Sequence, residues 1–195
     1  MAAFRQSQAG AQGERAGASG PLWSTELWPE YWLCERVSSF AGVEVDVNSR
    51  SKKIPDEGWA PTTVMGSVKN KPTVVVEVGV TETEAKLRRD ATMWTDSTGG
   101  QANIAITIKI NQAKPLIKID KWEWNPVTST PYVVQHIELA GGNGTCSVSG
   151  PSLLIPFEKL LLRAASYPRE WSIVLDVEAL KTLAINIWMN QQIAY

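Results

Sequence analysis

The run "TVVVEVGV", residues 73–80, is apolar at both parities except for Glu77. A strand with two apolar faces must be covered on both, which predicts the interior of a sheet with packed layers above and below it. A glutamate there is almost never fully buried without a partner. Glu77 therefore has two readings, both left open by this stretch alone. It is a sheet-end carboxylate paired with a lysine, or a metal ligand, since an acid on a rigid strand suits hard Mg²⁺.

The neighbouring segments give the strand its context. "TETEAKLRRDATMW" follows at once, with Thr81 and Glu84 in capping-box spacing and a stop at Gly99–Gly100, which predicts a helix. "NIAITIKIN" reads as a second buried strand carrying one charge, Lys109. Its parity sorts Ile104, Ile106, Ile108 and Ile110 onto one face, expected under that helix, and Ala105, Thr107 and Lys109 onto the other. The second face is expected on the side of Val75, Glu77 and Gly79, with Gly79 leaving room for the incoming lysine. "LIKIDKWEW" alternates, "YVVQHIELA" and "GTCSVSG" read as further strands, and "IPFEKLLLRAA" and "DVEALKTLAINIWMNQQ" as closing helices.

Upstream, Trp23, Leu27, Tyr31, Cys34 and Val37 recur at spacings of three and four, predicting an amphipathic helix over 23–40. "GVEVDVN" alternates as a short strand. "SRSKKIPDEGWAPTT" is punctuated by Pro and Gly and is expected to end in an edge strand. Residues 1–20 hold almost no large hydrophobes and are expected to form a disordered leader, leaving 21–195 as one domain. The order of elements predicts an α/β (α+β) domain around one mixed sheet.

Asp56 strengthens the metal reading of Glu77. It lies 21 positions earlier, in "KKIPDEGW", where Pro55 stiffens the approach. Two carboxylates from neighbouring strands, with substrate phosphate oxygens, suffice for Mg²⁺ or Mn²⁺. The plainer alternative for Asp56 is a turn-capping residue after proline.

Lys52, Pro55-Asp56, "PTVVVEVG" and the charged helix, taken together, resemble the PD-(D/E)XK nuclease superfamily. More narrowly they are similar to the restriction-endonuclease-like domains of filamentous-fungal proteins. The matching positions are Pro55-Asp56, Pro72 to Glu82, Asp90-Ala91-Thr92-Met93-Trp94, "AITIKI" and Lys121-Trp122-Glu123, within roughly residues 23–190. The resemblance implies a restriction-endonuclease-like core, a mixed central sheet flanked by helices, with a β-extension and C-terminal helices. It implies phosphodiester hydrolysis with Mg²⁺ or Mn²⁺ on Asp56 and Glu77. The superfamily's E-x-K lysine is replaced here, because the sequence runs Glu77-Val78-Gly79. Lys109 is the first candidate to supply that charge and Lys86 the second. The alternative is a catalytically degenerate nuclease fold used to bind nucleic acid or another protein.

Charge and composition narrow the partners. The chain has 19 Lys and Arg against 20 Asp and Glu, so no global field draws it to a polyanion. Residues 50–90 nevertheless hold eight basic and six acidic side chains. Arg50, Lys52, Lys53 and Arg89 are candidate nucleic-acid contacts there. Trp59, beside the Pro-Asp turn, is the candidate for base stacking, while Trp28, Trp32, Trp94, Trp122 and Trp188 are assigned to the core. Nucleic acid, DNA above RNA, is the expected partner, with a homodimer as the form in which such folds cut two strands. One histidine, His136, excludes His-rich zinc sites and most hydrolase triads. Two cysteines without metal spacing, Cys34 and Cys146, and the lack of a spanning run or signal-type N-terminus point to an intracellular compartment, cytoplasmic or nuclear, without membrane contact.

Overall fold

Residues 74–79 form a strand in which only Val78 escapes full burial, as an apolar run with two covered faces requires. The computed structural model describes residues 36–48, 51–64, 70–166, 168 and 170–193. In chain order it contains β1 (Val37–Ser39), β2 (Val45–Asn48), β3 (Ser51–Lys53), β4 (Glu57–Pro61), β5 (Val74–Gly79), α1 (Glu84–Thr95) and β6 (Ile104–Ile110). There follow β7 (Leu116–Asn125), β8 (Thr130–Gly142), β9 (Thr145–Ser149), β10 (Leu153–Ile155), α2 (Phe157–Leu161), β11 (Ile173–Leu175) and α3 (Val177–Gln191).

Seven strands make one sheet in the order β1-β4-β5-β6-β7-β8-β9. β5 and β6 run parallel, with α1 as the crossover between them, and the other neighbours are antiparallel. The domain is therefore α+β around a mixed sheet, with β7–β9 as the β-extension and α2 and α3 closing the chain. This is the architecture expected from the order of elements. β10–β11 and β2–β3 form two small antiparallel pairs outside that sheet.

Two apolar layers cover the sheet, and they divide β6 by parity. Ile104, Ile106, Ile108 and Ile110 pack with Val74, Val76, Leu153, Phe157, Leu160, Leu180 and Trp188. Ala105 packs with Val75, Ala91, Trp94, Trp122, Val45 and Val47. The isoleucine face thus meets α2 and α3, not α1, contrary to the sequence expectation. The reason is space. A Cβ on Gly79 would stand 2.8 Å from Leu87 Cδ1, so α1 lies close against the side where the strands carry glycine, alanine and threonine. The room at Gly79 is filled by Leu87 and not by a lysine.

Local differences have equally plain causes. The side chain of Thr83, not Thr81, accepts the Lys86 N–H and caps α1. Val37–Ser39, expected to end a helix, pair instead with Pro61, Ala60 and Trp59. That pairing gives β4 a neighbour on each side, so it is not the edge strand the sequence led one to expect. Residues 1–35, which include the leader, Trp28, Trp32, Cys34 and most of the expected helix, lie outside the described residues, as does Arg50. Among the described residues no helix is long and apolar enough to cross a membrane.

Candidate functional site

The site is built from the face of the sheet that α1 covers. Asp56 directly precedes β4, and Glu57 pairs with Val76 of β5. One further step in this antiparallel register sets Asp56 beside Glu77, on the face shared with Gly58 and Ala60. Asp56 is exposed, and its Oδ2 accepts the Val78 N–H at 2.7 Å. The carboxylate there takes the place of a ladder acceptor, which fixes its position at the strand end and leaves its other oxygen outward.

Glu77 is 5% exposed. Its Oε1 accepts the Trp94 indole N–H at 2.6 Å and lies 2.7 Å from Lys53 Nζ. Lys53 Nζ also lies 3.2 Å from Asp90 Oδ2 and 5.5 Å from the centre of the Trp94 ring. Its ammonium is buried and makes neither contact at hydrogen-bond angles, so charge attraction holds it between the two acids. Asp90 Oδ2 in addition takes Lys86 Nζ at 3.0 Å, one helical turn away. The Asp90-Ala91-x-x-Trp94 spacing is thereby explained. Asp90 and Trp94 both reach the Glu77 cluster, and Ala91 between them lets the helix settle on the sheet.

Lys53 arrives by strand parity. In the β2–β3 pair, Val45 lies opposite Lys53, and Asp46 opposite Lys52. Val45 and Val47 turn inward onto Trp94 and Ala91, and Lys53 shares their face. Lys52 points the other way and pairs with Glu44 at 3.0 Å in solvent.

These charges interact. Burial pushes the Glu77 carboxyl above its ordinary value, Lys53 and the Trp94 indole pull it back, and the Asp56 charge adds to the rise. The hydrogen bond from Lys86 to Asp90 raises the Lys86 ammonium.

Other candidates fall elsewhere. Lys109 shares the face of Glu77, but β6 pairs Thr107 with Glu77 and Lys109 with Gly79. Lys109 is therefore displaced two residues, about 7 Å, along the strand, and its Nζ donates to Val80 O at 2.6 Å. Lys86 touches Asp90 rather than Glu77. Trp59 lies on the opposite face of β4, half-buried against the α2–α3 core, which separates it from the carboxylates. Arg89 is exposed on α1. Sequence reasoning placed Lys53 among the nucleic-acid contacts and Trp94 in the core, where it is fully buried, and gave Asp90 no site role. The signal for Lys53 was its parity opposite the inward valines.

Asp56 and Glu77 are hard oxygen ligands on one face of adjoining strands, and each keeps an oxygen that no hydrogen bond occupies. Among the described residues no group of three or more acids, histidines or cysteines forms a closed cage. The pair fits Mg²⁺ or Mn²⁺ in the open mode, where substrate and water complete the shell.

No protein-family model matches the chain, and neither does any curated protein. One solved structure is similar, that of a protein of Anabaena variabilis described as a "putative nuclease belonging to DUF820". It is 11% identical, with a TM-score of 0.41 over 77% of this chain and 71% of that one. A likeness this remote carries no argument about activity.

Proposed function

We propose that the chain is a divalent-cation-dependent nuclease that hydrolyses phosphodiesters, with Asp56 and Glu77 holding the cation. The observation that carries this reading is the convergence of Lys53, Asp90 and Trp94 on Glu77, with Asp56 on the same face. The resemblance to PD-(D/E)XK nucleases requires an acid pair and a lysine, and Lys53 supplies the lysine from another element. A bound cation would polarise the scissile phosphate and lower the pKa of water. Asp56 stays anchored on Val78 N–H through one oxygen, which leaves the other free for the cation. Trp94 holds the Glu77 carboxylate in one rotamer. Lys53, held by Asp90, would set a positive charge beside the Glu77 carboxylate, near the charge that develops on the phosphate.

The test is cleavage of single- and double-stranded DNA and RNA in Mg²⁺ or Mn²⁺. Activity in the parent should fall at least about 100-fold in Glu77→Gln and in Lys53→Met. A parent that cuts none of these substrates contradicts the reading.

One observation favours a second reading, a degenerate nuclease fold kept as a binding module. Lys53 and Lys86 together already compensate Glu77 and Asp90, so the cluster is electrically complete without a cation. Inactivity on all four substrates, together with intact nucleic-acid binding, identifies that case.

A further inference from the structure

A cavity of about 100 Å³ lies between α1 and strands β6, β7 and β8. Leu87 and Arg88 line it from the helix, Thr107 and Lys109 from β6, Trp122 from β7 and His136 from β8. Arg88, Lys109 and Lys118 outnumber Glu84 and Asp120 on its wall. Glu84 pairs with Lys118 at 3.0 Å, and Asp120 is hydrogen-bonded to His136 Nδ1 at 2.5 Å. Neither Arg88 nor Lys109 makes an ion pair among the described residues. The Arg88 guanidinium lies over the Trp122 ring, 5.9 Å from its centre, and the Lys109 ammonium rests on the Val80 carbonyl.

We infer that this cavity binds a phosphate-bearing anion. Arg88 and Lys109 face a space that holds several waters, in a wall with more cations than carboxylates. A cation–π contact with Trp122 keeps the guanidinium beside the cavity, and its planar fork matches two phosphate oxygens at once. Lys109 spends one ammonium proton on Val80 and keeps two for a ligand. Thr107 is 3% exposed, and its hydroxyl oxygen already accepts the Trp122 indole N–H at 2.9 Å. No acceptor among the described residues takes its own proton, which leaves a buried donor on the cavity wall. The His136–Asp120 bond uses Nδ1 and leaves Nε2 without a partner in the described residues. The inference stands on these residues and not on the nuclease reading.

The phosphate could be a free anion or part of a strand, and the experiment separates the two. His136 is the single histidine of the chain, so its ring resonance is one unambiguous reporter. The full chain is titrated at constant ionic strength, with chloride as the control. The ligands are inorganic phosphate, a nucleoside monophosphate, and an oligonucleotide without terminal phosphates. A saturable shift of the ring signal is expected. Response to the first two alone assigns a free anion, and response to the oligonucleotide assigns an internucleotide phosphate. Arg88→Gln should weaken binding roughly tenfold or more, with Arg88→Lys in between, because Lys keeps the charge and loses the fork. No saturable shift with any of the three overturns the inference. So does equal affinity in folded Arg88→Gln, or an equal shift with chloride.

Discussion

Lys53 Nζ lies 2.7 Å from Glu77 Oε1, although the two residues belong to different sheets. The contact ties the β2–β3 pair to the centre of the main sheet through a buried charge. It also gives Glu77 its reason to remain in an apolar strand, since the carboxylate is hydrogen-bonded by the Trp94 indole and charge-paired with an ammonium that Asp90 shares. Three expectations about the folded chain follow from that mutual dependence and from the packing around it.

Removal of the ammonium should destabilise the fold. Lys53→Met keeps the apolar stem but leaves Glu77 and Asp90 as neighbouring buried acids. The loss should be near the lower end for a broken buried pair, about 3 kcal/mol, because the Lys53 side chain keeps 18% of its exposure. Chemical denaturation at neutral pH measures it, and a midpoint equal to the parent's contradicts the arrangement.

Glu77 should also impose a pH dependence. Burial raises its folded-state pKa above the ordinary 4.5, so the native state holds the proton more tightly than the unfolded chain. The stability this confers is fully present below the unfolded value and is lost as pH rises through the raised one. Glu77→Gln removes the titration. The stability of the variant relative to the parent should therefore increase between pH 4 and pH 7. Denaturation midpoints across that range check the sign, and a flat or falling difference contradicts it.

Gly79 marks the closest approach of α1 to the sheet. Gly79→Ala puts a methyl group 2.8 Å from Leu87 Cδ1 and should cost about 1–3 kcal/mol. Gly79→Ala combined with Leu87→Ala should recover part of the helix fit, which a double-mutant cycle would read as coupling.

Much of the fold was legible because it rests on periodicity. The run around Glu77 announced a strand covered on both faces, and the parity of β6 separated its isoleucines from Ala105, Thr107 and Lys109. Which layer each face would meet was not legible, since it depends on how closely a helix can approach, and that is set by Gly79 and Leu87 together. Lys109 illustrates the same limit within the site. Its face could be read from the sequence, but its distance from Glu77 along the sheet is a matter of inter-strand register, which pairs Glu77 with Thr107. Lys53 was read as a nucleic-acid contact and not as the partner of Glu77, because the β2–β3 pair is brought to α1 by tertiary packing of Val45 and Val47 on Trp94. Asp90 and Trp94 stood in a quoted motif, yet their purpose became visible only once both were seen to reach one cluster.

If Asp56 and Glu77 form one cation site on a shared face, calorimetric titration of Mn²⁺ into the full chain should reveal it. One saturable site is expected in the parent, lost in Asp56→Asn and in Glu77→Gln while both variants remain folded. Absence of Mn²⁺ binding in the parent, or binding that survives both substitutions, contradicts it.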